Sequence, residues 1–416
     1  MFSVLCSDER LFVASITQLR DCGGKMETIF FVVFGVLILT ELVKGLSANG
    51  TPPVLQRFSW QIDLAYFMWS NIRLFRLVLS AALIVFAIQS SPQNMSLFVS
   101  GIVICGALWG GIYWLFNKFW IGRVKFLPIT QKVFVNAQDN EVDFNLPVIG
   151  VSLNGETKAY PANMLFYHHV LHDVVGGKPL LATYCGMCRS GRVYDIDWPE
   201  GMPEFSLVGA ISFNAILRDS ITQSWWRQET GEAAKGARKG DQLDDIYFEQ
   251  MSLANWLEKY PDSLVLQYDP TFANKYHFLG KLLNFEASFP RWHLQKTPPL
   301  VVGIVCDGAS KAYDLIELQN RQIVNDEVNG TDLVALSDAA KTSAFVYSRK
   351  VDGQPLDFVM QDNIITDAQT GSHWSHLGLC IKGELKGKQL EQLQSYQQFI
   401  RAWITFHPDT AFYQFQ

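Results

Sequence analysis

The residues best equipped for chemistry are two cysteines three positions apart. They lie in the run Thr183-Tyr184-Cys185-Gly186-Met187-Cys188-Arg189-Ser190. A Cys-x-x-Cys turn aims two thiols at one place, where they can hold a soft metal ion or close a disulfide. Three histidines stand just upstream, His168, His169 and His172. A helix over Ala162–Leu171 would put His168 and His172, four apart, on one face. Cys185, Cys188 and His168, with His172 or His169 as a further donor, then make a thiolate–imidazole site of the kind that suits zinc, copper or iron. Gln228 and Glu232 follow in a polar run beginning at Ser224 and are candidates for lining a cleft beside a cofactor or substrate. Two other readings use the same residues: a thiol–disulfide oxidoreductase working through Cys185 and Cys188, and a non-catalytic membrane-bound scaffold. Phosphate-binding glycine loops, a Gly-x-Ser-x-Gly elbow and His-Glu-x-x-His are absent from the sequence.

The elements around these residues read as short β-rich runs broken by turn signals. Strands are expected over Leu180–Tyr184, Arg192–Asp195, Phe205–Val208 and Ala215–Arg218, with a closing helix over Ser252–Tyr260. The stretch Val148–Tyr160 matches Val301–Tyr313 at an offset of 153. The register continues through Asp173/Asp326, Gly177/Gly330, Ser190/Ser343 and Tyr194/Tyr347, then slips to 148 for Asp219/Asp367 and Trp226/Trp374. A last slip to 147 pairs Trp256 with Trp403 and Pro261 with Pro408. The expected architecture is therefore a duplicated, β-rich α+β soluble domain with pseudo-twofold repeats. The first repeat covers 143–263, a connector 264–300, and a degenerate second repeat 301–416. Where the first repeat has Cys185 and Cys188, the second has Asp338 and Lys341; where it has the three histidines, the second has Arg321, Gln322 and Asn325. Residues kept in both repeats serve the frame, and residues found in one are the candidates for chemistry.

On these motifs the chain, over about 143–416, resembles the family called domain of unknown function 3179 (DUF3179). The family pattern Ala-Tyr-Pro is Ala159-Tyr160-Pro161, and its Val-Gly-Gly turn is Val175-Gly176-Gly177. Its Thr-Tyr-Cys-x-x-Cys is Thr183 to Cys188, and its Asp-x-x-Thr-x-Ser-x-Trp-x-Gln-x-Thr-Gly-Glu-Ala is Asp219 to Ala233. The chain departs from the family where Trp, Glu and Asn become Tyr167, His169 and His172. The resemblance thus supports His168 beside the cysteines and implies that His172 is a substituted turn or cap residue. It brings no settled activity, and it implies export, since many members carry export signals.

The remaining sequence is built for lipid. Of 416 residues, 49% are hydrophobic and only 18% charged, and that excess is concentrated in residues 1–125. No charged residue occurs from Leu77 to Asn117, more than one bilayer crossing of about 20 residues requires. Spans are expected at 28–43, 72–89 and 96–117, with Gly101, Gly106, Ala107, Gly110 and Gly111 letting the last two helices approach. Lys44, Arg57, Arg73 and Arg76 precede the last two spans and Lys118, Arg123, Lys125 and Lys132 follow them, so the positive-inside rule puts the soluble domain in the cytoplasm of an inner or plasma membrane. The implied partner is the lipid bilayer. A net charge of −6 gives no basic field for nucleic acid.

Overall fold

The computed structural model describes residues 5–49, 56, 58–90, 92, 94–120, 126–186, 188–279, 300–362 and 364–415, with side chains from Lys25 onward. Residues 280–299 of the expected connector, and the side chains of Cys6 and Cys22, lie outside the described residues. The chain divides into two compact units, residues 1–125 with 209–212, and residues 126–208 with 213–416.

The first unit holds three helices long and apolar enough to cross a membrane. They are α1 (Leu5–Ala48), α2 (Gln61–Gln89) and α3 (Met95–Trp114). The stretches that qualify are Lys25–Ala48, Gln61–Gln89 and Met95–Phe119. Length and composition account for them: 24 to 29 residues at about 1.5 Å each reach about 36–44 Å. Phe30, Phe34 and Leu37 of α1 pack on Phe98 of α3 and on Leu79, Leu83 and Phe86 of α2. The glycine stripe of α3 works differently from the sequence expectation. Only Gly101 accepts a neighbour, the Phe31 ring of α1, while Gly106, Gly110 and Gly111 face open space.

The first candidate span contains one carboxylate past its apolar core, Glu41, and that carboxylate is paired. Arg76 of α2 grips it with Nε at 2.5 Å and Nη2 at 3.0 Å. Asn117 completes the junction, donating to Glu41 at 3.2 Å and accepting from Arg76 at 3.1 Å and from Lys44. Glu41 is fully buried there.

The second unit is β-rich. Its elements are β1 (Phe134–Val135), β2 (Pro147–Leu153), β3 (Glu156–Pro161), α4 (Ala162–His168), β4 (Val170–Val175), β5 (Lys178–Cys185), β6 (Ser190–Asp195), β7 (Phe205–Ile211), β8 (Asn214–Asp219), β9 (Trp225–Arg227), β10 (Ala233–Lys235), β11 (Glu249–Ser252), α5 (Leu253–Lys259) and β12 (Leu264–Leu266). After the connector come β13 (Leu300–Cys306), β14 (Ala309–Asp314), α6 (Leu315–Arg321), β15 (Ile323–Val328), β16 (Thr331–Ser337), β17 (Ala344–Ser348), β18 (Lys350–Val351), β19 (Gln354–Pro355), β20 (Phe358–Gln361), β21 (Ile364–Asp367), β22 (His373–Trp374), β23 (Cys380–Lys382), β24 (Ser395–Phe399), α7 (Ile400–Phe406) and β25 (Ala411–Phe412).

The sheets come in like-ordered sets. One has the order β1-β12-β3-β2-β11 and another β24-β13-β14-β25, with β12–β3 and β14–β25 parallel. Three-stranded sheets β4-β5-β6 and β15-β16-β17 follow, then four-stranded sheets β10-β9-β8-β7 and β20-β21-β22-β23. The hairpins are set by local chemistry. Asn154-Gly155 and Asp307-Gly308 both take positive φ at two successive residues, the tight-turn geometry that Asn-Gly and Asp-Gly favour. Trp256 and Trp403 lie flat on Gly150 and Gly303, where a Cβ would come within 2.2 and 2.4 Å of the rings. Their indole N–H groups donate to Ser263 and Thr410. One apolar core joins Met251, Leu253 and Trp256 to Val334, Phe345 and Phe358, so residues from both sides of the connector share an interior.

Candidate functional site

Cys185 ends β5 and Cys188 closes the turn leading into β6. The turn is fixed by backbone bonds from Cys188 N–H and Arg189 N–H to the Cys185 carbonyl, at 3.3 and 2.7 Å. Both cysteines are free thiols and both are buried. Burial pushes the Cys188 thiol well above its ordinary range; the neighbouring Cys185 and the Glu229 carboxylate push the same way, and Asn214 opposes them. The Cys185 side chain stands within hydrogen-bonding reach of Cys188. The far side of the turn is gripped by the C-terminal part of the chain: Phe399 N–H donates to the Cys188 carbonyl at 2.8 Å, and Ala402 packs in the apolar cluster that holds both cysteines.

A buried polar network surrounds the pair. Asn214 donates through Nδ2 to Cys188 Sγ at 3.2 Å and to Gln228 Oε1 at 2.9 Å. Its Oδ1 accepts from Glu229 N–H at 3.0 Å. Gln228 donates to Thr183 Oγ1 at 2.9 Å and to the Ser190 carbonyl at 3.3 Å. Ser190 Oγ donates to Glu229 Oε2 at 2.6 Å, and Arg192 pairs with Glu229 Oε1 and, through Nε, with its carbonyl at 2.7 Å. The Arg192 guanidinium also covers the Tyr396 ring at 3.5 Å. A buried charge pair with this many bonds meets the condition under which such pairs are tolerated inside a protein.

The sequence-chosen residues divide. Cys185, Cys188 and Gln228 come together. Glu232 does not: its side chain is about half exposed and lies 3.4 Å from Arg227. The histidines go elsewhere as well. His168 Nδ1 meets the Leu127 carbonyl at 2.5 Å and Nε2 meets Tyr276 Oη at 2.7 Å, so both ring nitrogens are engaged away from the sulfurs. Burial lowers its pKa, against the opposing Leu127 carbonyl and Asp269. His169 takes φ +64 and packs its ring at a tilt against Phe126, centroids 4.4 Å apart. That left-handed residue ends α4 at His168, and the chain turns extended as β4. His172 is therefore on a strand, which removes the shared helix face assumed for His168 and His172. Its Nε2 accepts from Phe205 N–H at 2.8 Å, and burial, with Lys132 nearby, holds its pKa down at about 4. Among the described residues no group of three or more His, Cys, Asp or Glu stands where a metal ion would be held.

Sequence reasoning missed Asn214, Arg192 and Glu229. The signal was present, because the positions aligned with Arg192 and Glu229 are Phe345 and Leu377. A polar pair facing an apolar pair across one register marks a buried charge network.

The DUF3179 family, described as a protein of unknown function, matches residues 127–410. The chain belongs to the DUF3179 family. No curated protein and no solved structure matches it. In this DUF3179 chain the family's Thr-Tyr-Cys-x-x-Cys motif is β5 and the turn after it. The motif from Asp219 to Ala233 supplies Gln228 and Glu229 to the same network.

Proposed function

We propose that this is a membrane-anchored protein whose first β-rich segment, residues 147–266, carries a dithiol that cycles with a disulfide. One observation carries the reading. Cys185 and Cys188 stand side by side across a tight turn, within a polar network and, among the described residues, without a third ligand grouped beside them. Cα atoms three residues apart in a tight turn lie within about 7 Å, which overlaps the span of a disulfide. In the step, the two thiols give up two protons and two electrons, and a Cys185–Cys188 S–S bond forms. A small-molecule disulfide takes them up, its S–S bond breaks, and two thiols leave. The competing reading makes Cys185, Cys188 and His168, with His172 or His169, ligands to zinc, copper or iron. It requires the His168 ring to give up Leu127 and Tyr276.

We also propose that the two β-rich segments are copies of one unit, supported by the paired sheet orders and by matched bonds such as Tyr160–Asp173 and Tyr313–Asp326. The three apolar helices then serve as the lipid anchor, and the positive flanks favour a cytoplasmic β-rich unit, whose pair rests reduced. Nucleic acid has no part in this reading.

The test is a redox titration of the full chain in detergent, equilibrated in glutathione buffers and trapped by alkylation. A single two-electron transition, lost in Cys185→Ser and in Cys188→Ser, is expected. A pair that stays reduced throughout, with stoichiometric metal by elemental analysis, overturns it in favour of the metal site. A reduced pair without metal leaves the scaffold. The same trapping in intact cells reports the side: a membrane-impermeant reductant leaves a cytoplasmic pair untouched.

A further inference from the structure

We infer that Gln398 is the recognition group of a binding site for a small neutral molecule that carries an amide. The site does not depend on the dithiol reading and goes beyond it.

The starting point is an orphaned side chain. Gln398 is fully buried, and among the described residues neither its Oε1 nor its Nε2 has a hydrogen-bond partner. Burying an amide without partners is destabilising, and buried polar groups in native proteins are bonded with few exceptions. An exception at both ends of one side chain calls for a partner that the chain itself does not supply.

Strand β24 sets the position. Gln398 lies opposite Val301 of β13, and Tyr396, two residues earlier, lies opposite Gly303. Residues two apart share a face of a strand. The amide is therefore on the face where Tyr396 packs with Val301 and Trp403. Arg192 of the first segment covers that tyrosine ring. One residue further on, Phe399 N–H donates to the Cys188 carbonyl at 2.8 Å. Gln398 thus stands where the two β-rich segments meet, beside the polar interior of the first.

The other segment shows what the frame requires there. The offset of 147 aligns Gln398 with Met251. Met251 lies opposite Val148 and fills an apolar core with Trp256 and Phe345, the residue aligned with Arg192. On the proposed duplication, the frame accepts an apolar side chain at this place, and folding does not ask for the amide.

The ligand chemistry follows from the bonds left unmet. Gln398 offers two N–H donors and one acceptor oxygen. Arg192 has five N–H groups, of which three meet the Glu229 carbonyl, the Glu229 carboxylate and the Gly191 carbonyl, and two remain. An amide N–H on the ligand satisfies Gln398 Oε1. Its carbonyl oxygen accepts from Gln398 Nε2 and keeps a second lone pair for a guanidinium N–H. A carboxylate lacks the donor that Oε1 needs and adds negative charge to the Glu229 and Asp245 carboxylates, which already interact with Arg192. An ammonium lacks the acceptor that Nε2 needs. Water has both, and it is the outcome against which the ligand is tested.

The experiment titrates the full chain in detergent with N-methylacetamide and with N,N-dimethylacetamide, which lacks the N–H, and reads binding by saturation-transfer NMR. Wild type should bind N-methylacetamide about tenfold more tightly, because the other probe leaves Gln398 Oε1 unmet. The ratio should fall to about one in Gln398→Met, which copies the residue of the other segment. Without a probe, Gln398→Met should unfold at the same denaturant concentration as wild type or a higher one, since it removes two unmet polar atoms. Equal affinities for the two amides in wild type overturn the inference, and that comparison needs no variant. A preference that survives in folded Gln398→Met sinks it as well, because the amide is then read elsewhere. A clearly lower unfolding midpoint in the variant means that Gln398 is already bonded, to water or to the chain, and also overturns it.

Discussion

The two β-rich segments repeat several side-chain bonds and fill their interiors differently. In each, a tyrosine on the third strand of a three-stranded sheet donates to a backbone carbonyl: Tyr194 to Gln228 and Tyr347 to His376. Each has a buried aspartate that accepts from the indole of a tryptophan seven residues on, Asp219 from Trp226 and Asp367 from Trp374, both at 2.9 Å. Yet Arg192 and Glu229 of the first segment stand where the second has Phe345 and Leu377, which belong to its apolar core. Cys185 and Cys188 stand where the second has Asp338 and Lys341. Asp338 there binds its own turn, accepting Thr342 and Ser343 N–H, and receives Asn255 from α5. If the two segments are copies of one unit, as proposed, the fold needs neither the charge pair nor the cysteines. Their presence in one segment calls for a reason beyond folding.

The sharpest way to break this comparison is to remove half of the charge pair. Glu229→Leu leaves Arg192 buried and uncompensated, with an expected loss of about 4 kcal/mol in denaturant unfolding of the full chain. Adding Arg192→Phe copies the filling of the second segment and should recover most of that loss. If the double variant stays as unstable as the single, the two interiors are not interchangeable and the comparison fails.

The shared frame is tested by Asp219→Ala and Asp367→Ala. Each carboxylate accepts the N–H two residues before its tryptophan and the indole itself, within one turn. Each loss should cost about 3 kcal/mol, because several buried donors are orphaned. Costs that differ more than twofold between the two would argue against a common frame.

The smallest effect concerns acid. Asn325 bridges Phe358 N–H and carbonyl at 2.8 Å each, where His172 accepts Phe205 N–H. The His172 pKa of about 4 is below its unfolded value near 6.5, so its contribution is complete above about 6.5 and is lost as pH falls toward 4. His172→Asn should keep the bond and flatten stability over that window by about 2 kcal/mol, as read from melts at pH 4.5 and 7. His407, also held down at about 4 by burial and by Arg192, leaves a residual slope. A variant with the full wild-type acid slope would mean that His172 does not titrate in this window.

Much of this was legible from residue patterns. The three apolar helices followed from uncharged runs, and the strands followed from alternation, with Leu180–Tyr184 growing by two residues at its start and one at its end. The site was only half legible. Cys185, Cys188 and Gln228 declared themselves by motif. The histidines misled because spacing presumes a helix, and one left-handed residue at His169 ended it. Asn214 gave no sign, since a polar residue at a strand start ordinarily faces water, and only the fold buries it. The glycines of α3 misled in the same way: a small residue permits close approach without saying which neighbour arrives.

The Glu41–Arg76–Asn117 junction carries a consequence for how the chain is made. Translation delivers α1 first, with its carboxylate and no guanidinium to meet it. A lone carboxylate costs up to about 3 kcal/mol at the centre of a lipid-exposed helix on insertion scales, and less toward the end, where Glu41 stands. Arg76 emerges 35 residues later and Asn117 another 41 after that. If the helices enter a membrane, the Glu41 carboxylate of the first finds its partners only when the later two join it. A nascent chain stopped before Arg76 should release α1 to aqueous extraction, whereas one stopped after Asn117 should hold it.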